Sequence, residues 1–168
     1  MTVVKRTFVV LAVLLSVLPA EPARATGSWT WPVTGPVIRG FDPPSSTYAA
    51  GHRGIDIAAP VGTVVRAPAA GVVSFAGNVG GRLFVTIDHG GGLLSTCSFL
   101  SKLLVRKGDL VIQGQGIALS GTGHVGDTTP NVHLGVRLNG QYVDPMDYLR
   151  PASVVDLIRL APIEPAMA

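Results

Sequence analysis

The chain has 168 residues, 47% hydrophobic and 14% charged, with a formal net charge of +3 and one cysteine. A lone cysteine excludes an internal disulfide, so stability must come from a packed core. No run of Lys and Arg forms a basic patch and only 6% of residues are aromatic, which argues against nucleic acid as a partner.

Lys5 and Arg6 precede an apolar run over residues 8–18, followed by Pro19 and the small-residue site Ala23-Arg24-Ala25. This order predicts a secretory signal cleaved after Ala25. The run is well short of the roughly 20 residues that span a bilayer, so a retained span is the weaker alternative and no membrane association is expected after cleavage. No cysteine near that site could carry a lipid. Cleavage would remove Lys5, Arg6, Arg24 and Glu21, leaving 143 residues with a net charge of +1, enough for one domain with its own core. Residues 26–30 read as a flexible lead-in, 31–149 as the domain and 150–168 as a C-terminal tail.

Between Trp31 and Tyr148, short runs of Val, Ile and Leu alternate with Gly, Pro and Asx turns, a spacing that predicts an all-β domain. The expected strands cover residues 63–66, 71–76, 83–88, 93–99, 110–112, 117–120 and 132–138. Residues 121–130 are too rich in Gly and Thr for a strand and read as a long loop, a length at which loops tend to be functional. Val154, Leu157 and Ile158 predict a short peripheral helix over residues 153–160.

The chemistry-bearing stretch is Gly51-His52-Arg53-Gly54-Ile55-Asp56-Ile57. A His and an Asp four residues apart are by themselves commonly surface polar groups. With His133 downstream they can supply three ligands to one zinc, and three protein ligands plus water make a catalytic site.

In order and spacing, several motifs resemble the lysostaphin-type (LytM-like) zinc metallopeptidases, which cut peptide cross-bridges of bacterial cell walls. They are Gly51 to Asp56, Gly71-Val72-Val73 with Gly77, Ile87-Asp88-His89-Gly90, Val105-Arg106-Lys107-Gly108-Asp109 with Gly114-Gln115, and Asn131-Val132-His133 followed by Val143-Asp144-Pro145. The resemblance covers about residues 31–149. It implies an antiparallel β-sheet sandwich with a groove, barrel-sandwich-like, and a zinc held by His52, Asp56 and His133. Water in the fourth position would have its pKa lowered toward ~7. A carrier domain of the lipoyl type, the other reading of the sandwich halves, lacks a lysine in the tight turn it needs, since Lys102 and Lys107 lie between strands.

The chain departs from the family pattern at two histidines that orient the water and move its proton. Phe99 stands where the His of a Tyr-x-His-Leu motif is usual, with Cys97 at the tyrosine, and Asn131 replaces the first His of His-x-His. General acid–base help of this kind is worth about 10²- to 10⁴-fold in rate. Phenylalanine cannot supply it, and Asn131 could at most offer a hydrogen bond to the scissile carbonyl. His124, in the long loop, is the one candidate stand-in that could lean over the zinc. His89 is expected to hold a turn, Cys97 to be a buried inert thiol, and Arg53 to be a rim charge.

These readings converge on a secreted or cell-wall-associated monomer. It would be a zinc metalloendopeptidase-like domain binding a peptidoglycan stem peptide or cross-bridge, with hydrolysis weak or lost. The alternative is a non-catalytic LytM-type domain that binds the wall or regulates another cell-wall hydrolase.

Overall fold

The computed structural model describes residues 29–46, 49–124 and 126–149. The expected signal segment, most of the lead-in and the expected helix over residues 153–160 lie outside the described residues.

Ten strands and one short helix are described, in the order β1 (Val37–Arg39), β2 (Ile55–Ala58), β3 (Val64–Arg66), β4 (Gly71–Val79), β5 (Arg82–Asp88), β6 (Leu93–Leu103), β7 (Leu110–Val111), β8 (Gly116–Ser120), β9 (Asn131–Leu138), β10 (Gln141–Val143) and α1 (Met146–Leu149). The main sheet runs β1-β2-β9-β6-β5-β4-β7, with β10 on β9 and β8 linking β3 to β6. Every pairing is antiparallel. The all-β expectation therefore holds.

Alternation along the central strands separates a core face from a groove face. Val132, Leu134 and Val136 of β9 are fully buried on one side, joined by Ser95 and Cys97 of β6 and by Val85 and Ile87 of β5. His133, Gly135 and Arg137 face the other way, with Leu94, Thr96 and Ser98 beside them and Phe84 and Thr86 beyond. That second face is the floor of a groove of about 420 Å³, walled by Arg53, Phe75 and Tyr142. Cys97, on the core face, has its thiol pushed up to about 12 by burial, so it is an inert packing group.

Strand β6 changes partner partway along. Residues 93–98 pair with β9, whereas residues from Leu100 onward pair with β8. The break falls at Phe99, the unpaired residue between Ser98↔Phe84 and Leu100↔Leu83, with φ +61°. It is a β-bulge that re-aims one side chain.

Three strands were not among those expected. β1 and β2 are three and four residues long, and β2 is buried on both faces, so neither shows alternation. β10 follows Asn139-Gly140, both with positive φ, the two-residue turn that closes a hairpin onto β9.

His89 closes the β5–β6 turn, its N–H donating to the Leu93 carbonyl. Its ring is buried: Nδ1–H donates to the Ala70 carbonyl at 2.8 Å, and Nε2 lies 2.8 Å from the Ser95 hydroxyl. Burial holds the His89 pKa below its ordinary 6.5, against the opposing effects of the Ala70 bond and the Asp88 charge. The folded state thus prefers neutral His89. Its contribution to stability is complete above about pH 6.5 and is lost as the pH falls through the lower folded value. The metal-free protein should lose melting temperature between pH 7 and 5, and His89→Gln should lose less of it over the same range. Equal losses in the two proteins would show that His89 does not carry this dependence.

Candidate metal centre

Register alone brings two of the expected ligands together. β2 and β9 pair with Asp56 directly opposite His133, and cross-strand partners share a face with Cβ atoms about 5 Å apart. His52 lies just before β2, in a bridge with Asp42 closed by His52 N–H to the Asp42 carbonyl at 2.7 Å and the reciprocal bond at 3.0 Å. The His52 ring is buried and its Nδ1–H donates to the Gly40 carbonyl at 2.7 Å. That bond fixes the tautomer, so Nε2 is the atom aimed inward.

Four groups converge. His52 Nε2 lies 3.1 Å from Asp56 Oδ2, while His133 Nδ1 and His124 Nε2 lie 2.8 and 3.2 Å from Asp56 Oδ1. His52 Nε2 and His133 Nδ1 are 3.1 Å apart. One ligand atom from each of the four residues lies within 4.8 Å of all the others. Imidazole and carboxylate are zinc donors with bonds of about 2.0–2.2 Å, which puts ligand atoms of a tetrahedral shell about 3.3 Å apart. The donor set therefore fits zinc. The fit has a second basis: with Nδ1–H committed to the Gly40 carbonyl, His52 Nε2 faces a carboxylate oxygen, and a cation between the two would satisfy both.

The electrostatics agree. Burial pushes the Asp56 carboxyl up, but the His133 hydrogen bond and the charges of His133, His52 and His124 outweigh it, leaving Asp56 below its ordinary value. Burial, with smaller contributions from His52 and His124, holds His133 below its ordinary value despite Asp56. An ionised carboxylate and a neutral imidazole are the forms that bind metal.

The two positions read as substituted sit beside this cluster. Phe99 is 8% exposed, its ring centroid 4.0 Å from that of His124 and 6.2 Å from that of His133. Asn131 is fully buried; its Nδ2 donates to Asp127 Oδ2 at 2.7 Å and to the Thr129 carbonyl at 3.0 Å. Both of its N–H groups are thus spent inside the loop over residues 121–130. Arg53, read as a rim charge, lines the groove. Sequence reasoning missed Asp127, and nothing in its spacing marked it.

A β-sheet groove ending in a His/Asp cluster that fits a metal defines a class, and the comparisons agree with it. The model of peptidase family M23 matches residues 50–145, and the chain belongs to that family. The lysostaphin-type fold expected from the motifs is the one found. Among curated relatives, outer membrane antigenic lipoprotein B of Haemophilus influenzae is 36% identical over 76% of this chain and 31% of its own length. Murein hydrolase activator NlpD of Escherichia coli is 35% identical over 73% of this chain and 31% of its own length. The chain spans about a third of the length of these two relatives. Among solved structures, a zinc-containing peptidase from Vibrio cholerae is 30% identical, with a TM-score of 0.59 over 71% of this chain and 39% of that one.

Proposed function

We propose that this chain is a non-catalytic M23 domain of the bacterial envelope that regulates another cell-wall hydrolase. The observation that carries the reading is the fate of its histidines. The sequence holds four; His52, His124 and His133 converge on Asp56, and His89 is buried against Trp29 and Ser95 on the core side. The position where the family's acid–base histidine is expected carries Phe99, and the other expected histidine is Asn131, whose N–H groups are committed to Asp127 and Thr129; His124, from the loop, is the one histidine beside the three expected ligands. A zinc bound by His52, Asp56 and His133 would otherwise polarise a peptide carbonyl or acidify water.

Relatives named as murein hydrolase activators support this reading. The groove, with Arg53, Phe84, Leu94, Arg137 and Tyr142 along it, offers apolar surface and two cations. That suits a stem peptide or cross-bridge carrying free carboxylates, or a carboxylate-bearing segment of the regulated enzyme. Secretion after cleavage at Ala25 and action as a monomer belong to the same proposal.

The test is release of dye-labelled fragments from purified peptidoglycan by the zinc-loaded protein, alone and mixed with each of a panel of murein hydrolases, beside His52→Ala. The expected result is no release by the protein alone and a severalfold increase with one hydrolase. Release by the protein alone that disappears in His52→Ala would overturn the reading and establish a working metallopeptidase.

A further inference from the structure

We propose that His124 is a fourth protein ligand, so that the metal site is closed and holds no exchangeable water. This goes beyond the regulator reading and stands without it.

The inference starts from the placement of a loop histidine that no strand positions. His124 Nε2 is 3.2 Å from Asp56 Oδ1, close to the roughly 3.3 Å separation of ligand atoms around tetrahedral zinc. Its ring stands at 89° to that of His133, with centroids 5.7 Å apart, and 5.9 Å from that of His52. The side chain is 28% exposed, more than those of the other three, as expected of a group that covers a site from the solvent side. Closed four-ligand shells are the mark of structural zinc, and an open position the mark of catalytic zinc.

Two direct contacts and two relayed ones hold His124 there. Phe99, turned toward the site by the bulge, packs against the His124 ring at a tilt of 47°, with centroids 4.0 Å apart, while the Arg82 guanidinium lies 5.0 Å from the Phe99 centroid. The His124 backbone N–H donates to Asp127 Oδ2 at 3.0 Å. The same oxygen accepts from buried Asn131 at 2.7 Å, which ties the loop to the strand that carries His133. Phe99 and Asn131, the positions at which the chain departs from the catalytic pattern, thus both act as positioning residues for His124. Phenylalanine braces the ring and asparagine anchors the loop. On this account the substitutions convert an open zinc site into a closed one.

The experiment uses the full-length protein loaded with cobalt(II) in place of zinc, read by its visible absorption during titration with azide, which binds an open metal position. Wild type should give the intense absorption of four-coordinate cobalt and be unchanged by millimolar azide. His124→Ala should show an azide-dependent change and at least tenfold weaker zinc binding by competition with a chelating dye. Asp127→Ala, which removes only the anchor, should lie between them, with a loss of zinc affinity smaller than that of His124→Ala. An azide response in wild type equal to that of His124→Ala, or failure of wild type to bind cobalt, would overturn the proposal. The wild-type measurement decides the question even if a variant fails to fold. Hydrolase activation is a separate readout, so failure here leaves that reading standing, and the reverse also holds.

Discussion

Asp56→Ala should abolish the gain in thermal stability that zinc confers on the wild type. Asp56 is the hub of the cluster: three imidazoles lie within 3.2 Å of its carboxylate, and it supplies the negative charge that a divalent ion needs in a buried site. With free zinc about a thousandfold above its dissociation constant, linkage stabilises the folded state by about 4 kcal/mol. For a domain of this size that amounts to a rise of roughly 12–20 °C in melting temperature. In Asp56→Ala the rise should be within a few degrees of zero, because affinity falls by orders of magnitude. Melting each protein with zinc and with a chelator isolates the metal's contribution from any direct effect of the substitution. A zinc-induced rise in the variant as large as that of wild type would remove Asp56 from the ligand set.

Gly54→Ala should cost about 3 kcal/mol of stability, at the upper end of the usual cost of overpacking, and weaken zinc binding at least tenfold. A Cβ on Gly54 would run into the Leu134 carbonyl oxygen and stand 2.7 Å from His133 Nε2. Neither contact can be relieved locally. The carbonyl belongs to β9, where Leu134 pairs with Ile55, so moving it opens the β2–β9 ladder, and moving the imidazole displaces a ligand. Gly40→Ala is the control, since nothing lies within 4 Å of its Cβ position and its φ is unremarkable. Urea unfolding gives the stability change and dye competition the zinc affinity. Wild-type values for both in Gly54→Ala would refute the close-approach argument.

Gly54 shows why the sequence reading reached as far as it did. Its motif was legible because close packing of β2 on β9 leaves room only for glycine between His52 and Asp56, and such a constraint leaves a mark in the sequence itself. The long strands were legible for a similar reason: the β9 alternation of Val132, Leu134 and Val136 with His133 and Gly135 is local and period-two. Short β1 and doubly buried β2 show no alternation, and β10 announces itself only through Asn139-Gly140. The β4 strand runs on past Ala76 to Val79 through Gly77 and Asn78, residues of poor strand propensity, because pairing with Phe84, Leu83 and Arg82 of β5 holds them.

The sequence by itself determined the all-β class and singled out His52, Asp56 and His133 as candidate donors, because alternation, turn residues and motif spacing are local properties of the chain. Only the tertiary structure decided what surrounds them. Whether Phe99 faces the core or the site depends on a bulge formed where β6 exchanges β9 for β8. Whether His124 is a solvated loop residue or a member of the cluster depends on Phe99, Asp127 and Asn131 meeting from two strands and a loop. The Phe99 contact with His124 joins residues far apart in the chain, and no local pattern encodes it.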